Sequence, residues 1–527
     1  MATVIKNKKA VVLKLKEPTR VTTVIPTAKL VSDGTSTLVA VPHRPDETKV
    51  LRQLGFKNIP DPLVTHYEFP KAGGRFDPFQ AQIETANFLS MNTRCFCLNS
   101  MGLGKTVSSL WAYDYMRKEK LVSKALVICP LSTMERTWGD ELFKTFPHLS
   151  SVVLHGTRDR RKKLLKEEVD VYIINTDGIR VIQEDLATRF DIDLVIVDEI
   201  AMFRNAGTDR WKCLNTIINK QPVARRVWAL TGAPTPNSPT DAWAQCKLVT
   251  PTNQDLPKYF KDFRDKVMRE KSRFQWEARP EATEIVRHTM QPSIRFALDD
   301  CVDLPPQIFQ TREAELSKEQ AKAYKEMASK LAAEMAEGSI TAENDAIKAG
   351  KLLQISCGLA YGKEGEYIRI PNAPRMSVLD EVIEESEGKV IVFVPLTGVL
   401  EMVAEHLRAK NIEVETVHGG TSKSARDQIF ASFQTTKSPH VLVANPATMS
   451  HGLTLTAATN IVWFAPIYSN DIYEQACARV RRPGQTKTTV IVHIAGSHIE
   501  KRIYDRLQTK QKLQGLLLDL MKEGSLI

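Results

Sequence analysis

Eight consecutive residues, Asn99-Ser100-Met101-Gly102-Leu103-Gly104-Lys105-Thr106, have the types and order of a phosphate-binding loop. Gly102 and Gly104 would let backbone N–H groups approach phosphate oxygens, Lys105 would bring a cation to the β- and γ-phosphates, and Thr106 would offer its hydroxyl to magnesium. Met101, Gly102, Leu103, Gly104, Lys105 and Thr106 are therefore the expected nucleotide-binding residues. Asn99 stands where the usual pattern has its first glycine. Farther along, Leu194-Val195-Ile196-Val197-Asp198-Glu199 is an apolar run ending in two carboxylates, as a buried strand delivering acids to a metal would be. Loop and acids together predict ATP hydrolysis, with ATP and Mg2+ as the ligands.

Such a loop needs a strand before it and a helix after it. Residues 95–98 supply the short apolar run, and a helical pattern follows the lysine. Within 71–251, further β-branched runs at 125–129, 171–174, 194–197 and 227–230 alternate with helical patterns, which predicts a parallel sheet covered on both faces. The pattern recurs within 375–498, at 390–394, 413–417, 441–444, 461–464 and 490–494, without a second phosphate loop. Two α/β domains with one nucleotide-gripping loop lead us to expect a site at the cleft between them. The intervening residues 252–374 change character. Those at 252–300 are charged and aromatic (Tyr259, Phe260, Phe263, Phe274, Trp276), and 316–357 read as two helices, so the segment is expected to be helical insertions and an inter-domain connection. Residues 1–70 read as a small basic module with strands, from their Val and Thr content and the turn signals Ser32-Asp33-Gly34 and Pro42. Residues 499–527 read as a C-terminal amphipathic helix packed on the second domain.

At 527 residues with 43% hydrophobic content, the chain can bury several cores. It has neither an apolar run of membrane-spanning length nor a secretory signal pattern, so a soluble intracellular protein is expected, in the cytoplasm of a bacterium or phage-infected host or on a nucleoid. Its eight cysteines lack metal-type spacing and suit packing in a reducing compartment. The net charge of +10 suggests a polyanionic partner. Residues 1–70 carry eleven Lys/Arg against six Asp/Glu, half of that excess. The basic run 158–166 reads as a solvated helix face.

Further motifs complete the set. They are Asp77-Pro78-Phe79-Gln80; the segment ALVICPLSTMERTW at 125–138; Phe203-Arg204-Asn205 after the two acids; Leu230-Thr231-Gly232-Ala233-Pro234 with Asn237; Ser450-His451-Gly452-Leu453-Thr454-Leu455; and Gln475-Ala476-Cys477-Ala478-Arg479-Val480-Arg481-Arg482-Pro483-Gly484-Gln485. In this order, over about residues 75–510, the chain resembles the SWI/SNF-type ATPases of helicase superfamily two, in a compact bacterial or phage form. The resemblance implies two RecA-like parallel-sheet domains in tandem, with Gln80 reading adenine. Asp198 and Thr106 would hold Mg2+, and Glu199 would orient and deprotonate the attacking water. Ser132 and Thr133, and likewise Ser450, His451 and Gly452, would touch the DNA backbone. Thr231 and its neighbours would sense the γ-phosphate. Arg479 and Arg482, in one motif with Gln475, would reach across the cleft and neutralise charge on the γ-phosphoryl group as the lobes close. Ala201 replaces the family's histidine.

The implied function is a DNA-dependent ATPase that translocates on double-stranded DNA and remodels forks or other branched DNA, or drives branch migration. Backbone phosphate contacts would give tracking without sequence preference. The alternatives are a 3′ to 5′ strand-separating helicase, a remodeller displacing proteins such as RNA polymerase, and a DNA-binding scaffold that does not hydrolyse ATP. A monomer is expected, with DNA and a protein as candidate partners of residues 1–70.

Overall fold

The computed structural model describes residues 2–32, 37–71, 77–220, 224–272, 275–336, 345–361, 367–449 and 454–509. The chain divides into two compact units, Met1–Cys301 and Val302–Ile527.

The first unit opens with β1 (Ala2–Ile5), β2 (Ala10–Lys14), β3 (Lys29–Ser32) and β4 (Thr37–Pro42), an antiparallel sheet in the order β1-β2-β4-β3. Alternation in β2 and β4 puts Val11, Leu13, Val39 and Val41 in a small core with Val21, Ile25 and Leu51. A seven-stranded sheet follows. Its strands are β5 (Arg94–Cys97), β6 (Lys124–Cys129), β7 (Ser151–Val153), β8 (Val171–Asn175), β9 (Ile192–Asp198), β10 (Arg226–Leu230) and, after the hairpin of β11 (Met268–Ser272) and β12 (Gln275–Ala278), the short β13 (Ser293–Ile294). Their order is β13-β5-β10-β9-β6-β8-β7 and every pairing is parallel. Both faces are covered, so the strands are apolar throughout and alternate between two cores. Phe96, Ile128, Val195, Val197 and Ala229 face one; Cys95, Cys97, Val127, Ile196, Trp228 and Leu230 face the other.

The second unit contains β14 (Gln307–Glu313), the hairpin β15 (Leu359–Tyr361) and β16 (Tyr367–Arg369), then β17 (Lys389–Phe393), β18 (Val414–Val417), β19 (Val441–Ala444), β20 (Ala458–Trp463) and β21 (Thr489–Ala495). Six of these form a parallel sheet in the order β14-β21-β20-β17-β19-β18. Each unit is thus an α/β domain of the RecA-like kind, as the sequence predicts. The helix His498–Gln508 buries Ile499, Ile503, Tyr504 and Leu507 against this unit's core; its expected extension beyond residue 509 falls outside the described residues. From this helix Glu500, almost wholly buried, pairs with the equally buried Arg375, whose Nη2 donates to both carboxylate oxygens at 2.7 Å. The Glu500 carboxylate also accepts from the N–H groups of Gly496 and Ser497.

Residues 252–374, expected to be helical insertions and a connection, divide between the units. They do form helices, among them Phe260–Val267, Lys318–Ala336 and Asp345–Ser356. They also supply β13, which pairs with β5, and β14, which pairs with β21. β13 has two residues, too few for a periodic signal. β14 is an exposed edge strand, so its sequence is not apolar enough to read as a sheet strand. In the basic helix Arg158–Leu165, Arg161 departs from the expected solvated face. It is buried, and its guanidinium donates to the carbonyls of Leu154 and Gly156.

Candidate active site

Because the first sheet is wholly parallel, the loops after β5, β10, β9 and β6 emerge side by side at its carboxyl edge, where α/β sheets place their ligands. After β5 the backbone enters the left-handed region at Gly102 (φ +87°) and Gly104 (φ +71°), and the helix Lys105–Lys118 begins at once. A Cβ at Gly104 would collide with the Gln82 carboxamide. Glycine is required there by close approach as well as by φ. Lys105 Nζ donates to the carbonyls of Asn99 (2.8 Å) and Ser100 (3.3 Å). Thr106 is partly buried one residue into the helix, and Met101 and Leu103 complete the turn.

Asn99 does not act as a substitute glycine. Its side chain is buried; Nδ2 donates to Thr85 Oγ1 at 2.7 Å and Oδ1 accepts from the Phe296 N–H at 3.0 Å. The carboxamide therefore fixes the start of the loop to the helix Gln80–Met91 and to the chain after β13.

β10 lies between β5 and β9, so its terminal loop lies between the lysine and the acids. A Cβ at Gly232 would be 3.1 Å from Met101 Cγ and 3.6 Å from Lys105 Nζ. Thr231 Oγ1 donates to Glu199 Oε1. Glu199 itself has φ +60°, uncommon for a side chain of this size and costing about 1–2 kcal/mol. That conformation ends β9 abruptly, while the hydroxyl of Thr231 holds the carboxylate. Asp198, the last residue of β9, accepts from Trp138 Nε1 at 3.0 Å. Burial pushes its carboxyl above the ordinary value, and the indole N–H and the charge of Lys105 pull it back. An acid held this way is suited to a cation, which would remove the cost of its burial. Thr106 and Asp198 are thus a donor set compatible with magnesium.

The glutamine expected for adenine, Gln80, is exposed and its Nε2 donates to Glu84 Oε1 at 2.9 Å. Gln82, two residues on, is buried beside Gly104 and accepts from the Phe79 N–H at 3.3 Å. Sequence reasoning missed Gln82; its signal is a glutamine at the third helical position, where it caps the helix. In the turn after β6, Ser132 is partly buried, whereas Thr133 is buried and spends its hydroxyl on Pro130 O at 2.9 Å. The same turn leads to Trp138, the partner of Asp198. Ala201 is buried, and its carbonyl accepts from Arg204 at 3.2 Å.

In the second unit Gln475 is buried and donates to Asp471 Oδ1 at 2.8 Å. Arg479 is buried, and its carbonyl accepts from the Leu455 N–H at 2.9 Å. Arg482 donates through Nε to Ala478 O (2.9 Å) and through Nη1 to Thr454 Oγ1 (3.0 Å). Burial lowers its guanidinium to about 10, so it remains a cation at neutral pH. Gln485 donates to the carbonyls of Thr456 (3.1 Å) and Ala458 (3.0 Å), fixing this motif to the start of β20. Ser450, His451 and Gly452 lie outside the described residues.

The SNF2-related domain matches residues 81–358, and the helicase conserved C-terminal domain matches residues 374–484. Putative protein p41 of Acyrthosiphon pisum secondary endosymbiont phage 1 is 26% identical over 448 residues, covering 80% of this chain and 94% of that protein. The SWI/SNF-related matrix-associated actin-dependent regulator of chromatin subfamily A-like protein 1 of Xenopus laevis is 26% identical over 477 residues, 88% of this chain and 46% of that longer protein. The chain therefore spans less than half of that relative. Against the solved Sulfolobus solfataricus SWI2/SNF2 ATPase core in complex with dsDNA, the TM-score is 0.41 at 22% identity, covering 87% of this chain and 95% of that one.

Proposed function

The chain belongs to the SNF2-related family of ATP hydrolases, and on that premise we propose that it is a DNA-dependent motor that translocates on double-stranded DNA and remodels forks or other branched DNA. The observation that carries the ATPase part of the reading is the convergence at one sheet edge of Lys105, Gly232, Thr231, Glu199 and Asp198; the DNA part is supported by the family match and the net charge of +10.

In this mechanism Lys105 and the N–H groups of residues 101–106 hold the triphosphate, and Gln80 reads the adenine. Thr106 and Asp198 would hold Mg2+, which would supply positive charge against the triphosphate. Glu199, kept in orientation by Thr231, takes the proton of the attacking water. Arg479 and Arg482 donate to phosphoryl oxygens in the hydrolysing state, and Gln475 supports their motif. Backbone contacts from Ser132, Thr133, Ser450, His451 and Gly452 hold the DNA without reading its sequence. Residues 1–70, with their positive excess, add grip on the same polyanion.

The test measures phosphate release without DNA, then with duplex, forked and four-way-junction DNA, alongside displacement of a triplex strand annealed to the duplex. Strong stimulation by duplex together with triplex displacement is the expected result. Stimulation only by single strands, or hydrolysis indifferent to DNA, would overturn the reading.

A further inference from the structure

The helix Asp241–Val249, which follows the Thr231 loop, carries a surface that nucleotide chemistry does not use. Asp241 accepts from the N–H groups of Asn237 and Ser238, and Gln245 Nε2 donates to Pro234 O at 2.6 Å. The helix is thereby fixed to the loop that touches Lys105. It presents Trp243 in its first turn and Lys247 in its last. Trp243 Nε1 donates to Pro257 O at 3.0 Å, and its ring meets Phe260 edge-on, with centroids 5.7 Å apart. Beside them stand Tyr259, 61% exposed, and Phe260, 45% exposed. Lys247 Nζ lies 5.6 Å from the Trp243 centroid, and Lys258 Nζ lies 5.3 Å from that of Tyr259.

Neither lysine pairs with a carboxylate among the described residues. They are also close enough to repel, since Lys247 sits below its ordinary value first through burial and also through the charge of Lys258. Two exposed aromatic rings beside two ammonium groups that meet ring faces but no carboxylate make a surface suited to an anionic partner with flat faces of its own. A protein partner fits poorly, because lysine is depleted at such interfaces. Duplex DNA would meet the charges, but its bases are already stacked. Unpaired bases offer free faces to the rings and phosphates to the lysines.

We propose that Trp243, Lys247, Lys258, Tyr259 and Phe260 form a platform that holds single-stranded DNA by stacking unpaired bases on Tyr259 and Phe260. The proposal rests on the reading above in taking DNA as the substrate and adds an unpaired segment to it. It also places that segment beside Trp243, against which Phe260 packs, on the helix that Asp241 and Gln245 fix to the loop after β10.

The experiment measures binding of a labelled oligothymidine and of a duplex of equal length to the full chain. The proteins compared are wild type, Tyr259→Ala/Phe260→Ala, Tyr259→Phe/Phe260→Tyr and Lys247→Gln/Lys258→Gln. Losing two stacked bases should weaken oligothymidine binding about tenfold or more, with duplex binding within about twofold of wild type. The aromatic exchange should preserve both affinities. The glutamine pair should lower the salt slope for the single strand by about 1.4. The platform is overturned if wild type does not bind oligothymidine, if the alanine pair leaves that binding intact, or if it weakens duplex equally. Failure of the motor itself would be distinguishable, since duplex-stimulated phosphate release would then be absent from wild type as well.

Discussion

The two parallel sheets end their leading strands differently, and the difference shows what makes an anion site in this fold. After β5 the backbone passes through two left-handed glycines into a helix that starts with Lys105. After β17 it passes through Val394, Pro395 and an extended Leu396 into the helix Thr397–Ala409. Pro395 has no N–H to donate, and the glycine in that helix, Gly398, is packed against Tyr367 rather than opened to a ligand. Both turns are secured by an asparagine carboxamide: Asn99 bonds to Thr85 and Phe296 in the first unit, and Asn445 donates to Pro395 O at 3.1 Å in the second. A parallel sheet followed by a helix is therefore insufficient. The glycine backbone and the cation after it distinguish the unit with the phosphate loop from the one without.

The first way to break the comparison is to remove chemistry from the first unit. Glu199→Gln should lower single-turnover hydrolysis about 10³–10⁴-fold while ATP still binds, and Lys105→Ala should bring turnover to background while DNA binding largely survives. Near-normal hydrolysis in either variant would deny the first unit its assigned role.

The next effect belongs to the second unit alone. Arg375→Met leaves Glu500 buried and uncompensated, and should destabilise that unit by about 3–5 kcal/mol in denaturant unfolding. Arg375→Met/Glu500→Leu should recover much of the loss. A single variant within about 1 kcal/mol of wild type would mean that the ion pair does not hold the helix His498–Gln508.

Arg482→Ala sharpens the comparison by asking whether a unit without a phosphate loop still serves hydrolysis. Single-turnover rates at saturating ATP and duplex should fall about 10²–10³-fold with ATP affinity nearly unchanged. Lysine should restore little, because an ammonium lacks the planar multi-donor geometry. A wild-type rate in the alanine variant would remove Arg482 from the mechanism.

The smallest effect is set by pH. Burial lowers His493 to about 4, its ring stacked on Tyr504 at 4.2 Å and 2.8 Å from Tyr473 Oη. The folded imidazole stays neutral while the unfolded one takes a proton below about 6.5. Its contribution is complete above that pH and is lost as pH falls toward about 4, amounting to about 2 kcal/mol by pH 5. His43 and His66 in the first unit are lowered in the same direction, so the measurement is the difference between wild type and His493→Phe. Equal pH slopes in the two proteins would show that His493 does not titrate on unfolding.

What was legible in the sequence followed from strong local constraints. Continuous apolar runs marked β6, β8, β9 and β10, and Gly102, Gly104, Lys105 and Thr106 marked the loop because their spacing has a chemical reason. β7 and β13 were not legible, at three and two residues, since no alternation can develop over such lengths. The tertiary partners were hidden for another reason. Nothing near Trp138 in the chain indicates that its N–H reaches Asp198, sixty positions on. Nor does local pattern distinguish exposed Gln80 from buried Gln82, because only the approach of Gly104 separates them.

Both backbone groups of Phe296 are held at the phosphate loop: its N–H donates to the Asn99 carboxamide, and its carbonyl accepts from the Ser100 N–H at 3.0 Å. Shortly afterwards, at Cys301, the chain leaves the first unit. The loop is therefore a mechanical anchor for the departing chain. Tension applied to the departing chain reaches the residues just before the glycines through two bonds, without first deforming the sheet.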